Sequence, residues 1–191
     1  MVIAIIDSTI REKSRTRDIL EGIIGAFNNV EFKYYNLNSF DIDVTNARSF
    51  PKKSMNVFFY NVAKEIANAD GIIVAAPFWD MTYPALLKAF IEKISILDVM
   101  FADGPTECIG LSKNHFMLYI TTRGMNIKTN SPLDGGSKSL KCLRKLWGIP
   151  SFTCVSAYNL DYLLDDEIKR KIQKAINVGI KKLRYYINGK D

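Results

Sequence analysis

Short, unbroken apolar runs alternate along the chain with longer stretches in which apolar residues recur at helical spacing. Val2 to Ile6 and Gly71 to Ala76 are continuous, rich in β-branched residues and too brief for helices. They read as strands buried on both faces. Phe116 to Thr121 and Phe152 to Ala157 have the same character, whereas Val30 to Leu37 alternates and suits a strand nearer a sheet edge. Between them lie helical patterns. Ser14 is placed to cap one that carries Ile19, Leu20, Ile23, Ile24 and Phe27. Phe58, Val62 and Ile66 share one face of a second, expected from Ser54 to Asn68. Pro84 sits at a first helical position ahead of Leu86, Leu87, Phe90, Ile91 and Ile94. A fourth helix runs from Ser137 to Trp147 and is stopped by Gly148 and Pro150, and Asp165 or Asp166 caps the last, with Ile168, Ile172, Ala175, Ile176, Ile180 and Leu183. Strand followed by helix, repeated, predicts a parallel α/β sheet.

The connections are less informative. Asn38 to Lys53 is polar and irregular, the length of a functional excursion. Asp98 to Ser112, with Gly104 and Pro105, reads as a loop, and Met125 to Gly136 as a mobile surface loop. No repeat or low-complexity segment interrupts the pattern, so residues 1–191 are expected to form a single domain.

Composition narrows the class. With 48% hydrophobic and 24% charged residues the chain has the make-up of an ordinary globular protein, and no apolar run reaches membrane-spanning length. MVIAIID at the start lacks a basic leader and a cleavage site, so a cytosolic protein without membrane insertion is expected. Cys108, Cys142 and Cys154 have neither metal spacing nor even number, and a lone histidine, His115, rules out a histidine-based metal site. A net charge of +6 favours anionic ligands. The cations are spread over the last two helices without a nucleic-acid module, so nucleic acid is not an expected partner.

Candidate chemistry gathers where strands end. After the first strand, Ser8, Thr9, Ser14 and Thr16 supply hydroxyls and Arg11 and Arg15 supply charge beside a helix start. A phosphate monoester suits that set. The glycines of a P-loop or dinucleotide fingerprint are missing, so a single terminal phosphate is the better match, and a merely capped helix is the alternative. After the central strand, Pro77 is followed by Phe78, Trp79, Asp80 and Met81, where open α/β sheets bind ligands. The two aromatics either cap the core or frame a flat ring. Thr122, Arg123 and Gly124 place a polar, cationic group at a further strand end.

Taken in order, these motifs resemble the FMN-dependent NADH azoreductase and NAD(P)H quinone reductase family, which has a flavodoxin-like fold. Ser8 with Ser14, Arg15 and Thr16 is similar to its phosphate loop, AAPFWDMTYPALLKAFIEKI to its flavin loop and following helix, and Thr122, Arg123 and Gly124 to its Ser-Arg-Gly-Gly segment. The resemblance implies a doubly wound, five-stranded parallel sheet in the order 2-1-3-4-5 with helices on both faces. It implies that Ser8, Ser14, Arg15 and Thr16 hold the FMN phosphate, that Pro77, Phe78, Trp79, Asp80 and Met81 line the isoalloxazine, and that Thr122, Arg123 and Gly124 close its polar rim. It further implies NADH or NADPH as electron donor, a quinone or azo compound as acceptor, no catalytic side chain apart from the flavin, no metal, and a homodimer in which Leu86, Leu87 and Phe90 pack at the interface. Alternatives on the same scaffold are a flavodoxin-type carrier without an NAD(P)H site, or a regulatory domain without flavin. Two residues depart from the family pattern. Asp80 replaces an asparagine, so it accepts but cannot donate a hydrogen bond, and its charge opposes an anionic reduced flavin unless Arg123 pairs with it. Met125 replaces the second glycine of the rim segment.

Overall fold

The computed structural model describes residues 1–44 and 56–189. Strands β1 (Val2–Asp7), β2 (Glu31–Asn36), β3 (Gly71–Ala75), β6 (Phe116–Thr122) and β7 (Ser151–Ala157) form one sheet in the order β2-β1-β3-β6-β7, every pair parallel. Numbered within that sheet alone, the order is the expected 2-1-3-4-5. Helices α1 (Arg15–Ile24) and α5 (Asp165–Asn188) cover one face, and α2 (Val57–Asn68), α3 (Ala85–Ile94) and α4 (Gly135–Leu146) cover the other.

Two cores explain the unbroken apolar runs. Ile3 and Ile5 of β1 pack with Ile19, Leu20 and Ile23 of α1, while Ala4 and Ile6, pointing the other way, pack with Phe59, Val62 and Ile66 of α2. Both sides of the central strands must therefore be apolar. β2 lies at the edge, and accordingly Glu31, Lys33 and Tyr34 are exposed while Tyr35 is buried.

The structure revises several boundaries. Asp98 to Ser112 is not a plain loop, since β4 (Phe101–Asp103) and β5 (Cys108–Gly110) pair as an antiparallel hairpin. Three-residue strands carry too little alternation to be read by pattern. Gly110 lets this hairpin reach the end of α4, because a Cβ there would stand 2.0 Å from the Gly148 nitrogen. Helix α4 begins at Gly135 rather than Ser137, for Asp134 caps it by accepting from the Ser137 N–H, and a glycine pair had hidden the first turn. Pro84 is the residue before α3 rather than its first. Asp165 is already helical, and the Glu167 carboxylate reaches back to the Leu164 N–H at 3.2 Å, so three acids occupy the first turn of α5. A 3-10 turn at Leu37–Ser39 opens the long connection after β2. Residues 45–53 of that expected excursion, and the first two of the helix expected from Ser54, lie outside the described residues. Among the described residues no helix is long and apolar enough to cross a membrane.

Candidate functional site

The carboxyl ends of β1, β3 and β6 converge, as a parallel sheet with its order reversing beside β1 requires. The loop after β1 is fixed by a buried carboxylate that the sequence did not single out. Asp7 accepts from the Thr9 N–H and hydroxyl at 2.8 and 2.6 Å, from the Tyr34 hydroxyl, and pairs with the Arg17 guanidinium at 3.6 Å. The Thr9 carbonyl in turn accepts from Arg17 and Asn38. Burial, then the bond to Asp7, raises the ionisation of the Tyr34 hydroxyl well above its ordinary range, so it remains a donor. A single carboxylate thus sets the course of the loop that enters α1.

At the start of α1 the Ser14 hydroxyl accepts from the Arg17 N–H at 3.3 Å. The N–H groups of Arg15 and Thr16 are left without an intrahelical acceptor, the usual donors for an anion. Arg11, Lys13 and Arg15 line the same cavity of about 550 Å³. Ser8 is fully buried and does not line the cavity, and its hydroxyl has no hydrogen-bond partner among the described residues. Thr16 does not line the cavity; its buried hydroxyl shares a 2.7 Å bond with Thr122 and ties α1 to the end of β6. Of its polar groups only the backbone N–H is left without a partner in the helix.

The cavity continues from this cationic end to the loop after β3. Pro77, Phe78 and Trp79 line it, as do Thr122, Arg123 and Gly124. The two aromatics divide the alternatives between them. Phe78 is 7% exposed and lies beneath the Arg123 guanidinium at 4.9 Å, so it is a core residue. Trp79 is half-buried, has the Arg11 guanidinium 5.8 Å from its ring, and stands between this cavity and a second, largely apolar one of about 710 Å³.

Asp80 and Met81 occupy the tip of a two-residue turn closed by reciprocal bonds between Trp79 and Thr82, at 2.9 and 2.8 Å. Both have positive φ, 45° and 66°. Turns of this hand favour asparagine and glycine, so two ordinary side chains here carry backbone strain. The start of α4 holds it in place. The Gly135 N–H donates to the Met81 carbonyl at 3.0 Å, and a Cβ on Gly135 would stand 2.6 Å from that oxygen. Asp80 and Met81 are exposed, and Asp80 lines the second cavity with Tyr83, Leu86 and Ala89.

Arg123 does not pair with Asp80. It is fully buried, and its guanidinium meets the equally buried Asp134 carboxylate at 3.0 Å, the Ile127 carbonyl at 2.9 Å and the Ser137 hydroxyl at 3.5 Å. Asp134 also accepts from the Asn130 and Ser137 N–H groups, both at 3.0 Å. Burial alone would push its carboxyl up, but these bonds and the Arg123 charge outweigh it and hold the group below the ordinary aspartate value of 3.8. The segment from Met125 to Gly136, expected to be mobile, is instead anchored through Ile127 and Asp134, which are 6% and 0% exposed. An aspartate three residues before a serine at a helix start is a recognisable cap. Its ion pair with Arg123 has no signature in the sequence.

A family model described as a flavodoxin-like fold matches residues 1–179. The FMN-dependent NADH:quinone oxidoreductase of Clostridium beijerinckii is 30% identical over 177 residues, which cover 86% of this chain and 88% of that protein. Its counterpart in Clostridium perfringens is 32% identical over 136 residues, 68% of this chain and 67% of that protein. The crystal structure of an FMN-dependent NADH-azoreductase from Bacillus anthracis in complex with FMN matches 95% of this chain and 97% of its own, with a TM-score of 0.79 and 17% identity. At that identity the likeness concerns the fold.

The Arg123 and Asp134 pair makes a defined contribution to stability. The folded carboxyl titrates below its unfolded value, so its contribution is complete above the ordinary aspartate value and is lost as pH falls through the folded one. Asp134→Asn leaves a buried guanidinium without its anion and is expected to cost roughly 3 kcal/mol at neutral pH. Urea unfolding should show that difference shrinking between neutral pH and a pH below the ordinary aspartate value, as the native carboxyl is progressively neutralised. An equal difference at both pH values would contradict the assignment.

Proposed function

Because the chain belongs to the family with the flavodoxin-like fold, we propose that it is an FMN-dependent NAD(P)H oxidoreductase that delivers two electrons to a quinone, an azo compound or a similar small acceptor. The observation that carries this reading is the single cavity that joins an anion-binding helix start to an aromatic and polar strand-end rim. A monophosphate at one end of a flat ring system has that shape and charge distribution. The Ser14 cap and the cations Arg11, Lys13 and Arg15, which line the cavity, fit such a phosphate, and FMN carries one.

In this reading Ser8, Ser14, Arg15 and the Thr16 N–H hold the phosphate, Pro77, Phe78 and Trp79 line the ring with Asp80 and Met81 at the turn beyond them, and Thr122 and Gly124 close its polar rim, with the side chain of Arg123 committed to Asp134. FMN, when bound, supplies the redox chemistry, taking a hydride equivalent from NAD(P)H and giving two electrons to the acceptor. The chain positions and shields. Trp79 separates the flavin cavity from the apolar one, whose walls of Tyr83, Leu86 and Ala89 suit an uncharged aromatic acceptor. The Lys88 and Glu92 charges at the rim of that second cavity pair at 2.5 Å, which leaves Asp80 as its one further charged lining residue. Nothing in this scheme needs a nucleophilic side chain, and no metal-ligating cluster occurs among the described residues.

The same reading includes a homodimer and a cytosolic setting. Leu87 and Phe90, expected at the interface, are fully buried beneath α3 against the sheet. The proposed contact therefore rests on Leu86 and the apolar cavity beside α3. Cys108 and Cys142 are free and exposed, which suits a reducing compartment.

Protein incubated with FMN and desalted should retain the visible flavin bands, and anaerobic NADH or NADPH should bleach them. Retained bands that do not bleach would assign an electron carrier, and a colourless protein would overturn the flavin reading. Sedimentation over a dilution series should show a species of twice the 21.7 kDa chain mass. A monomer at every concentration would remove the homodimer.

A further inference from the structure

Beyond the phosphate and ring ends lies one residue that touches both. Asp161 follows β7 on a segment laid along the rim, where the Leu160 N–H donates to the Arg123 carbonyl at 3.2 Å and the Asp161 N–H to the Gly124 carbonyl at 3.1 Å. Its carboxylate lies directly over Gly124, so close that a Cβ there would be 1.8 Å from Oδ2. Its Oδ1 stands 4.0 Å from the Arg15 guanidinium, at the first helical residue of α1. Both side chains are reachable from solvent, 44% and 64% exposed, and both line the cavity.

A carboxylate is an odd tenant of an anion site. It subtracts charge from Arg11, Lys13 and Arg15 and competes with any phosphate for Arg15. Its placement makes sense for a different chemical group. Between the phosphate and the ring of FMN runs a chain of hydroxyls, which are donors, and an ionised carboxylate is purely an acceptor. Asp161 lies between the elements assigned to those two ends, and Gly124 gives it room. The other carboxylate lining the cavity, Asp18, belongs to the first turn of α1.

We infer that Asp161 is a specificity-determining residue that accepts hydrogen bonds from the polyol chain of the flavin nucleotide. The inference rests on the flavin reading above and deepens it. Asp161 therefore contributes to any flavin that carries hydroxyls, whether or not a phosphate follows them. It contributes nothing to a bare ring.

The test is equilibrium binding, read from flavin fluorescence, with FMN, riboflavin and lumiflavin, which keeps the ring but has a methyl group in place of the polyol. Asp161→Ala should weaken FMN and riboflavin by roughly tenfold to a hundredfold, the range of a hydrogen bond to a charged group, and leave lumiflavin unchanged. Asp161→Asn, which keeps the shape and one acceptor oxygen, should fall between, and it carries the test if the alanine variant does not fold. Equal weakening of all three flavins would overturn the inference in favour of a role in rim position. Unchanged or tighter FMN binding would overturn it in favour of simple competition for Arg15. If the unaltered protein binds none of the three, the flavin reading itself fails.

Discussion

Arg123 carries a full positive charge into the interior, and the architecture of the strand ends follows from how that charge is neutralised. Its guanidinium meets Asp134 across 3.0 Å with both side chains sealed from solvent, and hydrogen bonds from Asn130 and Ser137 occupy the remaining carboxylate positions. Taking two ions out of water costs several kcal/mol each, which their mutual attraction and the hydrogen bonds to both groups offset, although the Arg123 Nε is left without a partner among the described residues. The same aspartate caps α4, so charge pairing at the end of β6 and the start of that helix are one event. Through Gly135 the helix then grips the Met81 carbonyl and holds the strained turn after β3. Phe78, beneath the guanidinium, closes the stack.

The cavity above this base has a polarity of its own. Three cations and the start of α1 make one end receptive to an anion, while Trp79 and the walls beyond it are apolar. Asp7 fixes the loop at the charged end by direct hydrogen bonds, and the Thr16 and Thr122 hydroxyls join that end to the rim. The elements around the cavity are thus cross-linked by polar contacts rather than by packing alone. Loops positioned in this way on a rigid sheet are the usual carriers of binding function.

Much of this was readable from residue order, for reasons specific to each element. Val2 to Ile6 and Gly71 to Ala76 announced central strands because two cores claim opposite faces of the same residues. Ser14 announced a helix start because capping is local. Trp79, Thr122 and Gly124 were legible as residues at strand ends, where they line the cavity, since the end of a buried parallel strand is itself legible. What escaped depends on distance along the chain. The partner of Arg123 is Asp134, the residues that secure Thr9 include Asn38 directly and Tyr34 by way of Asp7, and Asp161 reaches Gly124 from beyond another strand. None of these pairings has a periodicity. Leu87 and Phe90 show the converse, a helical apolar stripe whose destination, core or interface, only packing decides.

The claim on which the account turns is that the cavity reads a phosphate at one end and a ring at the other. The ratio of FMN to riboflavin affinity in the unaltered protein, followed against ionic strength, tests it most directly. FMN should bind at least about a hundredfold more tightly at low salt, with the advantage narrowing as salt screens the partly exposed cations. Equal affinity for the two flavins at every ionic strength would contradict it.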